Sequence, residues 1–207
     1  GYDYDTFASD LNDVLNELDL RNVVLVGFSM GGGEVARYIG RYGENRVAKA
    51  VFISAVTPYL KKTDDNPDGV DPATLDAIVA GVATDRINFL TDFTANFYKG
   101  GVLGHKASDD VIAFSKSLAW VASPLGTEQS AVAFNNTDFR PDLAKFTVPT
   151  LIMHGDGDHI VPYDASAPRT AKLVKNSRLE KIGSAPHGLI TTYADEANTI
   201  LLDFLRS

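Results

Sequence analysis

The segment NVVLVGFSMGGGE, residues 22–34, limits the fold more tightly than any other part of the chain. Its first half is a continuous β-branched run, the composition of a parallel strand covered on both faces. Its second half fences a serine with glycines and leads into residues that suit a helix. A G-x-S-x-G between strand and helix forms an elbow, a sharp strained turn that lifts the serine Oγ clear of the sheet. Gly27 and Gly31, on either side of Ser29, remove Cβ atoms that would collide with the neighbouring strand and helix, and Gly32 and Gly33 ease the packing of the helix start.

The rest of the chain repeats the alternation. Phe7, Leu11, Val14, Leu15 and Leu18 recur at helical spacing, with Thr6 or Asp5 placed to cap the helix. Glu34 to Arg41 continues the elbow as a helix, and VAKAVFIS, residues 47–54, is a second strand. VPTLIMHG, residues 148–155, is a third, followed by a helix over about 163–175, a short strand at 178–182 and a last helix over about 189–205. Strands alternating with helices imply an α/β fold with a parallel sheet. Between the second and third strands the pattern changes. A polar stretch with Pro58, Pro67, Gly69 and Pro72 opens a helical, aromatic-rich segment too long for a simple crossover. The expected organisation is core at 1–56 and 146–207, with an inserted helical cap at 57–145.

Chemistry in an open α/β sheet gathers at the carboxyl ends of the strands. A serine hydroxyl is a poor nucleophile until a base takes its proton, so the elbow needs a histidine held by a carboxylate. The loops after the third and fourth strands supply both, in the chain order Ser29, Asp158, His187. Pro186 and Gly188 keep His187 out of regular structure and let its ring reach back to the elbow. Other readings are weaker. A dinucleotide fingerprint needs glycine where Ser29 stands, and an acidic residue after the next strand, which ends in VFIS. A plain tight turn would leave the ordered Asp and His unexplained. His154, Asp156, Asp158 and His159 could bind a metal, but no second cluster adds ligands at a recognisable spacing. His154 and His105 read as structural histidines, Asp156 as a turn residue, and His159 as a loop or solvent-facing residue. Most cap aromatics should form the cap's own core, with some facing the serine; Trp120 is the best candidate for such a pocket wall, with Phe28 beside the nucleophile.

Composition narrows the function further. The 207 residues suffice for one sizeable core. Nineteen Lys and Arg against 27 Asp and Glu give a net charge of −8, which leaves no cationic surface for nucleic acid. With no cysteine there is no thiolate nucleophile and no disulfide framework, as fits a cytoplasmic protein. The longest apolar runs fall well short of the roughly 20 residues that span a bilayer, and GYDYDTFASDL carries no secretory signal.

With these residues placed, the chain resembles the α/β-hydrolase superfamily, and within it the cofactor-free haloperoxidases and arylesterases. The resemblance is carried by GYDYDTFASDLNDVLNELDLRNVVLVGFSMGGGEVARY, by ISAVTPYL with NPDGV, and by VPTLIMHGDGDHIVP. It implies Ser29 as nucleophile, His187 as general base, Asp158 as its orienting carboxylate and the Met30 backbone N–H as one oxyanion donor. It further implies hydrolysis of small esters through an acyl-serine, release of a halide-oxidising peracid when hydrogen peroxide replaces water, and no haem, metal or flavin. Members of that group carry several strands ahead of the helix that opens this sequence, and a loop after one of them gives a second oxyanion donor. The expected chain is therefore N-terminally shortened, with an apolar sheet edge beside the elbow strand. It should assemble as a homo-oligomer or with a companion N-terminal fragment. Its turnover should be slowed by the roughly 10²–10³ that one oxyanion donor is worth. A noncatalytic fragment serving assembly or binding, and hydrolysis of lactones or carbon–carbon bonds, are the competing functions.

Overall fold

The computed structural model describes residues 1–102, 104 and 107–207. Four parallel strands form one sheet in the order β1 (Val23–Phe28), β2 (Val47–Ile53), β3 (Thr150–Gly155) and β4 (Ser177–Ile182). Side chains alternate across β2 and β3. Ala50, Phe52 and Ile152 enter one core, while Val51, Ile53, Leu151 and Met153 enter the other. The first core is closed by α1 (Tyr4–Glu17), α2 (Met30–Tyr42), α7 (Arg140–Leu143) and α8 (Ala167–Leu173). The second is closed by the short α9 (Leu189–Thr192) and by α10 (Ala194–Arg206), through Leu189, Tyr193, Ala197 and Phe204. This two-sided burial explains the unbroken apolar composition of β2 and β3. Strand β1 lies at an edge of the sheet, and Val26 is about half exposed there, at 49%.

Between β2 and β3 the described chain passes through the cap helices α3 (Pro72–Thr84), α4 (Arg86–Phe97), α5 (Asp109–Val121) and α6 (Pro124–Asn136), and then α7. Polar caps start each of the cap helices: the side chains of Asp71, Asp85, Ser108 and Ser123 accept from backbone N–H groups of the first turn. Phe139, Leu143 and Phe146 are buried in the first core, and α7 packs on α2.

Two local features differ from the sequence reading. The cap of α1 is Asp3, whose Oδ1 accepts from Thr6 N at 2.9 Å, in place of Thr6 or Asp5. The long helix after β3 is a 3-10 turn at Tyr163–Ala165 followed by α8, with the chain bent at Ser166, whose hydroxyl donates to Ala55 O.

Candidate active site

Ser29 sits between the last residue of β1 and the first of α2 with φ 53° and ψ −122°, a backbone conformation that costs a non-glycine residue free energy. The surrounding glycines make that turn possible in unequal measure. A Cβ on Gly27 would fall 2.5 Å from Gly31 O, and one on Gly33 would meet the rings of Phe139 and Tyr4 at 2.5 and 2.6 Å. At Gly32 it would meet Ala55 Cβ. Gly31, expected to be needed for the same reason, faces open space in the described chain. Tyr4, buried at the start of α1, donates its hydroxyl to Met30 O at 3.0 Å and so fixes the peptide beside Ser29. Met30 opens α2, so its N–H is one of the donors that a helix N-terminus leaves without an intrahelical partner.

Three loops converge on this point. His187 Nε2 lies 2.9 Å from Ser29 Oγ, and His187 Nδ1 lies 2.7 Å from Asp158 Oδ2. A carboxylate only accepts, so Nδ1 carries the proton and Nε2 is left to accept from the serine hydroxyl. The imidazole is fully buried, held between the rings of Phe28 and Phe97 at 5.2 and 4.8 Å between centroids. Its loop is tied to the cap: Gly188 N donates to Phe97 O at 2.8 Å and Gly101 N to Ser184 O at 2.9 Å.

Asp158 is held from both sides. Its Oδ1 accepts from the backbone N–H groups of Ile160 and Val161, each at 2.8 Å. Burial by itself pushes its carboxyl toward the neutral acid, but hydrogen bonding from His154 and His187 and their nearby charge outweigh it, holding the group well below the usual carboxylate range. The remaining residues of the HGDGDH segment diverge. Asp156 turns outward to Lys181 Nζ and accepts from Ser184 N, and His159 is exposed. Among the described residues no three His, Asp or Glu side chains gather where one metal ion could be held. His105 lies outside the described residues.

A cavity of about 430 Å³ opens at Ser29 and His187, between cap and core. Its walls are aliphatic on α3 (Leu75, Ile78, Val82) and aromatic on α4 (Phe89, Phe93, Phe97), with Phe134 on α6. A strip of small polar groups, Ser123, Thr127 and Ser130, lies along α6 and its cap, and among the described residues no Asp, Glu, Lys or Arg side chain lines the cavity. Both pocket residues expected from the sequence are displaced from this wall. Trp120 is on α5, 40% exposed, with its indole N–H donated to Thr91 Oγ1 at 3.3 Å. Phe28 stands behind His187, packed on its ring, and does not line the cavity. Sequence reading missed the α4 wall as a unit, although Phe89, Phe93 and Phe97 recur every four residues on one helix face.

The elbow, the sheet and the cap define the class: residues 1–192 match the family model described as the alpha/beta hydrolase fold, and the chain belongs to that family. It is an enzyme of the α/β-hydrolase type. Its relatives sharpen the comparison. The crystal structure of a bromoperoxidase from Bacillus anthracis superposes with a TM-score of 0.96 at 48% identity, covering 100% of this chain and 75% of that one. The chain is 43% identical to the non-heme chloroperoxidase CPO-A1 of Kitasatospora aureofaciens, over 99% of its own length and 75% of the relative's. It is 40% identical to a bifunctional esterase/perhydrolase of Acinetobacter calcoaceticus, again over 100% and 75%. Among the described residues no helix is long and apolar enough to cross a membrane.

Proposed function

We propose that this chain is a serine carboxylic ester hydrolase of arylesterase type. It works through an acyl-serine intermediate, with perhydrolysis and halide oxidation as side activities. The observation that carries the reading is the unbroken line of contacts Ser29 Oγ, His187 and Asp158, 2.9 and 2.7 Å long, at the mouth of an apolar cavity.

His187 Nε2 takes the proton of Ser29 Oγ as the oxygen attacks the ester carbonyl, and Asp158 stabilises the imidazolium that forms. The Met30 N–H donates to the developing oxyanion. As the tetrahedral intermediate collapses, His187 returns its proton to the leaving alcohol and the acyl group remains on Ser29. Water, deprotonated by the same imidazole, then releases the carboxylic acid. Hydrogen peroxide in its place releases the peracid and regenerates the serine, with no change of oxidation state at the protein. The peracid, in turn, oxidises halide to hypohalous acid as it is reduced to the carboxylic acid. The bifunctional esterase/perhydrolase among the relatives is named for both outcomes, which supports this pairing of activities. The apolar walls, with no Asp, Glu, Lys or Arg among the described lining residues, favour small acyl or aryl groups without a charge of their own.

The test is turnover of p-nitrophenyl acetate by the chain and by Ser29→Ala. The variant is expected to lose on the order of 10⁴ or more in kcat, together with the pre-steady-state burst of p-nitrophenol. Undiminished turnover by Ser29→Ala would overturn the proposal.

A further inference from the structure

The triad accounts for two of the buried polar side chains behind Ser29 but not for a third. His154, near the end of β3, is 1% exposed, and its ring meets Tyr163 edge-on at 5.8 Å. Its Nε2 lies 2.9 Å from Val161 O and 3.2 Å from Asp158 Oδ2. Val161 O only accepts, so Nε2 carries the ring proton and donates it there, with Asp158 Oδ2 as a second close neighbour. That neighbour is the same Oδ2 that receives His187 Nδ1–H. Meanwhile Oδ1 is saturated by Ile160 and Val161 N–H. His154 therefore touches both the carboxylate and the residue whose backbone fixes its other oxygen.

We propose that His154 is a positioning residue for this site. Its Nε2–H, donated to Val161 O and lying 3.2 Å from Asp158 Oδ2, holds the carboxylate in place and offsets part of the negative charge on Oδ2 that His187 also faces. The inference rests on reading Ser29, His187 and Asp158 as a triad. The groups facing the pair are few: Ser29 and Asp158 from the elbow and the β3 loop, and the uncharged rings of Phe28 and Phe97. Tyr163 stands against His154, with the Lys181 Nζ, itself paired with Asp156, 5.9 Å from its ring centroid.

Removing the His154 donor leaves more unshared negative charge on Oδ2, which holds the His187 proton more firmly. Because His187 must be neutral to act as base, the acidic limb of the kcat/KM profile moves to higher pH. For His154→Phe, which keeps the ring's bulk, that shift is expected together with a fall of about tenfold in kcat and little change in KM, the scale set by one hydrogen bond to a charged group. His154→Gln, whose amide N–H falls near the position of Nε2, is expected to restore both. A purely structural His154 would lower stability or rate without moving the limb, and that result would overturn the inference. Should His154→Phe fail to fold, ¹⁵N NMR of the unaltered protein decides. The His154 Nε2–H resonance is expected to shift as His187 titrates, and a resonance indifferent to that titration would contradict the coupling through Asp158 Oδ2. The two readings fail separately. Turnover surviving Ser29→Ala removes the triad, whereas Ser29-dependent turnover with an unmoved limb in His154→Phe removes only the role of His154.

Discussion

Asp158 keeps its negative charge with none of its side chain exposed. A carboxylate so placed survives only because it is hydrogen-bonded: two backbone N–H groups and the His187 imidazole donate to it, and His154 Nε2 lies 3.2 Å from Oδ2. Its folded-state value lies below the ordinary one. The stability it contributes is therefore fully present above the unfolded carboxylate range and is lost as pH falls through the folded value. Asp158→Asn is expected to lower kcat by about 10⁴, through the wrong imidazole tautomer. It is also expected to lower the Tm at neutral pH, with the gap from the unaltered protein closing below about pH 4. Thermal melts between pH 7 and pH 3 check this; a gap that widened in acid would contradict the account. That Ser29, Asp158 and His187 would meet was legible in the sequence because each follows a strand in its own recognisable loop. His154 was not, because a histidine in a buried strand gives no sign of whether the next loop folds its carboxylate back onto it.

At the scale of elements, the cap helices α3, α4 and α6 wall the cavity at Ser29, and under the proposed function they set which acyl groups reach it. Phe97 serves twice: its ring walls the cavity and packs on His187, and its carbonyl accepts from Gly188 N. Phe97→Ala is expected to lower kcat/KM for p-nitrophenyl hexanoate by roughly 10- to 100-fold, the worth of about 1–3 kcal/mol of apolar contact. Trp120→Phe, outside the cavity, is expected to stay within about twofold. Steady-state kinetics on the two variants test this division, and the reverse ranking would refute it. The cap was legible as a helical insertion from its length and its aromatic content. Its inward face was not, since Trp120 and Phe97 are equally plausible walls until the packing of α5 is known. None of the α5 residues is buried, and the helix leaves Phe114, Leu118 and Val121 exposed. Element ends were also hard to read. The expected final helix breaks at Tyr193 into α9 and α10, where the chain passes from the His187 loop onto the second core face.

At the scale of the molecule, the site draws its three side chains from positions 29, 158 and 187, brought together by the parallel register of β1 to β4 and clamped by the cap. The sheet buries two independent apolar faces, so residues that look equivalent along a strand report to different cores: Phe52 to α2 and Val51 to α10. Strand alternation made the sheet legible; which helices cover which face was settled only by the packing. The central claim is that this assembly activates one hydroxyl. The most direct measurement is reaction of the intact protein with a fluorophosphonate, the adduct being located by peptide mass spectrometry. A single adduct on Ser29, lost in Ser29→Ala and strongly slowed in His187→Gln, is the expected result. No adduct, or labelling of Ser29 that is indifferent to His187→Gln, would contradict it.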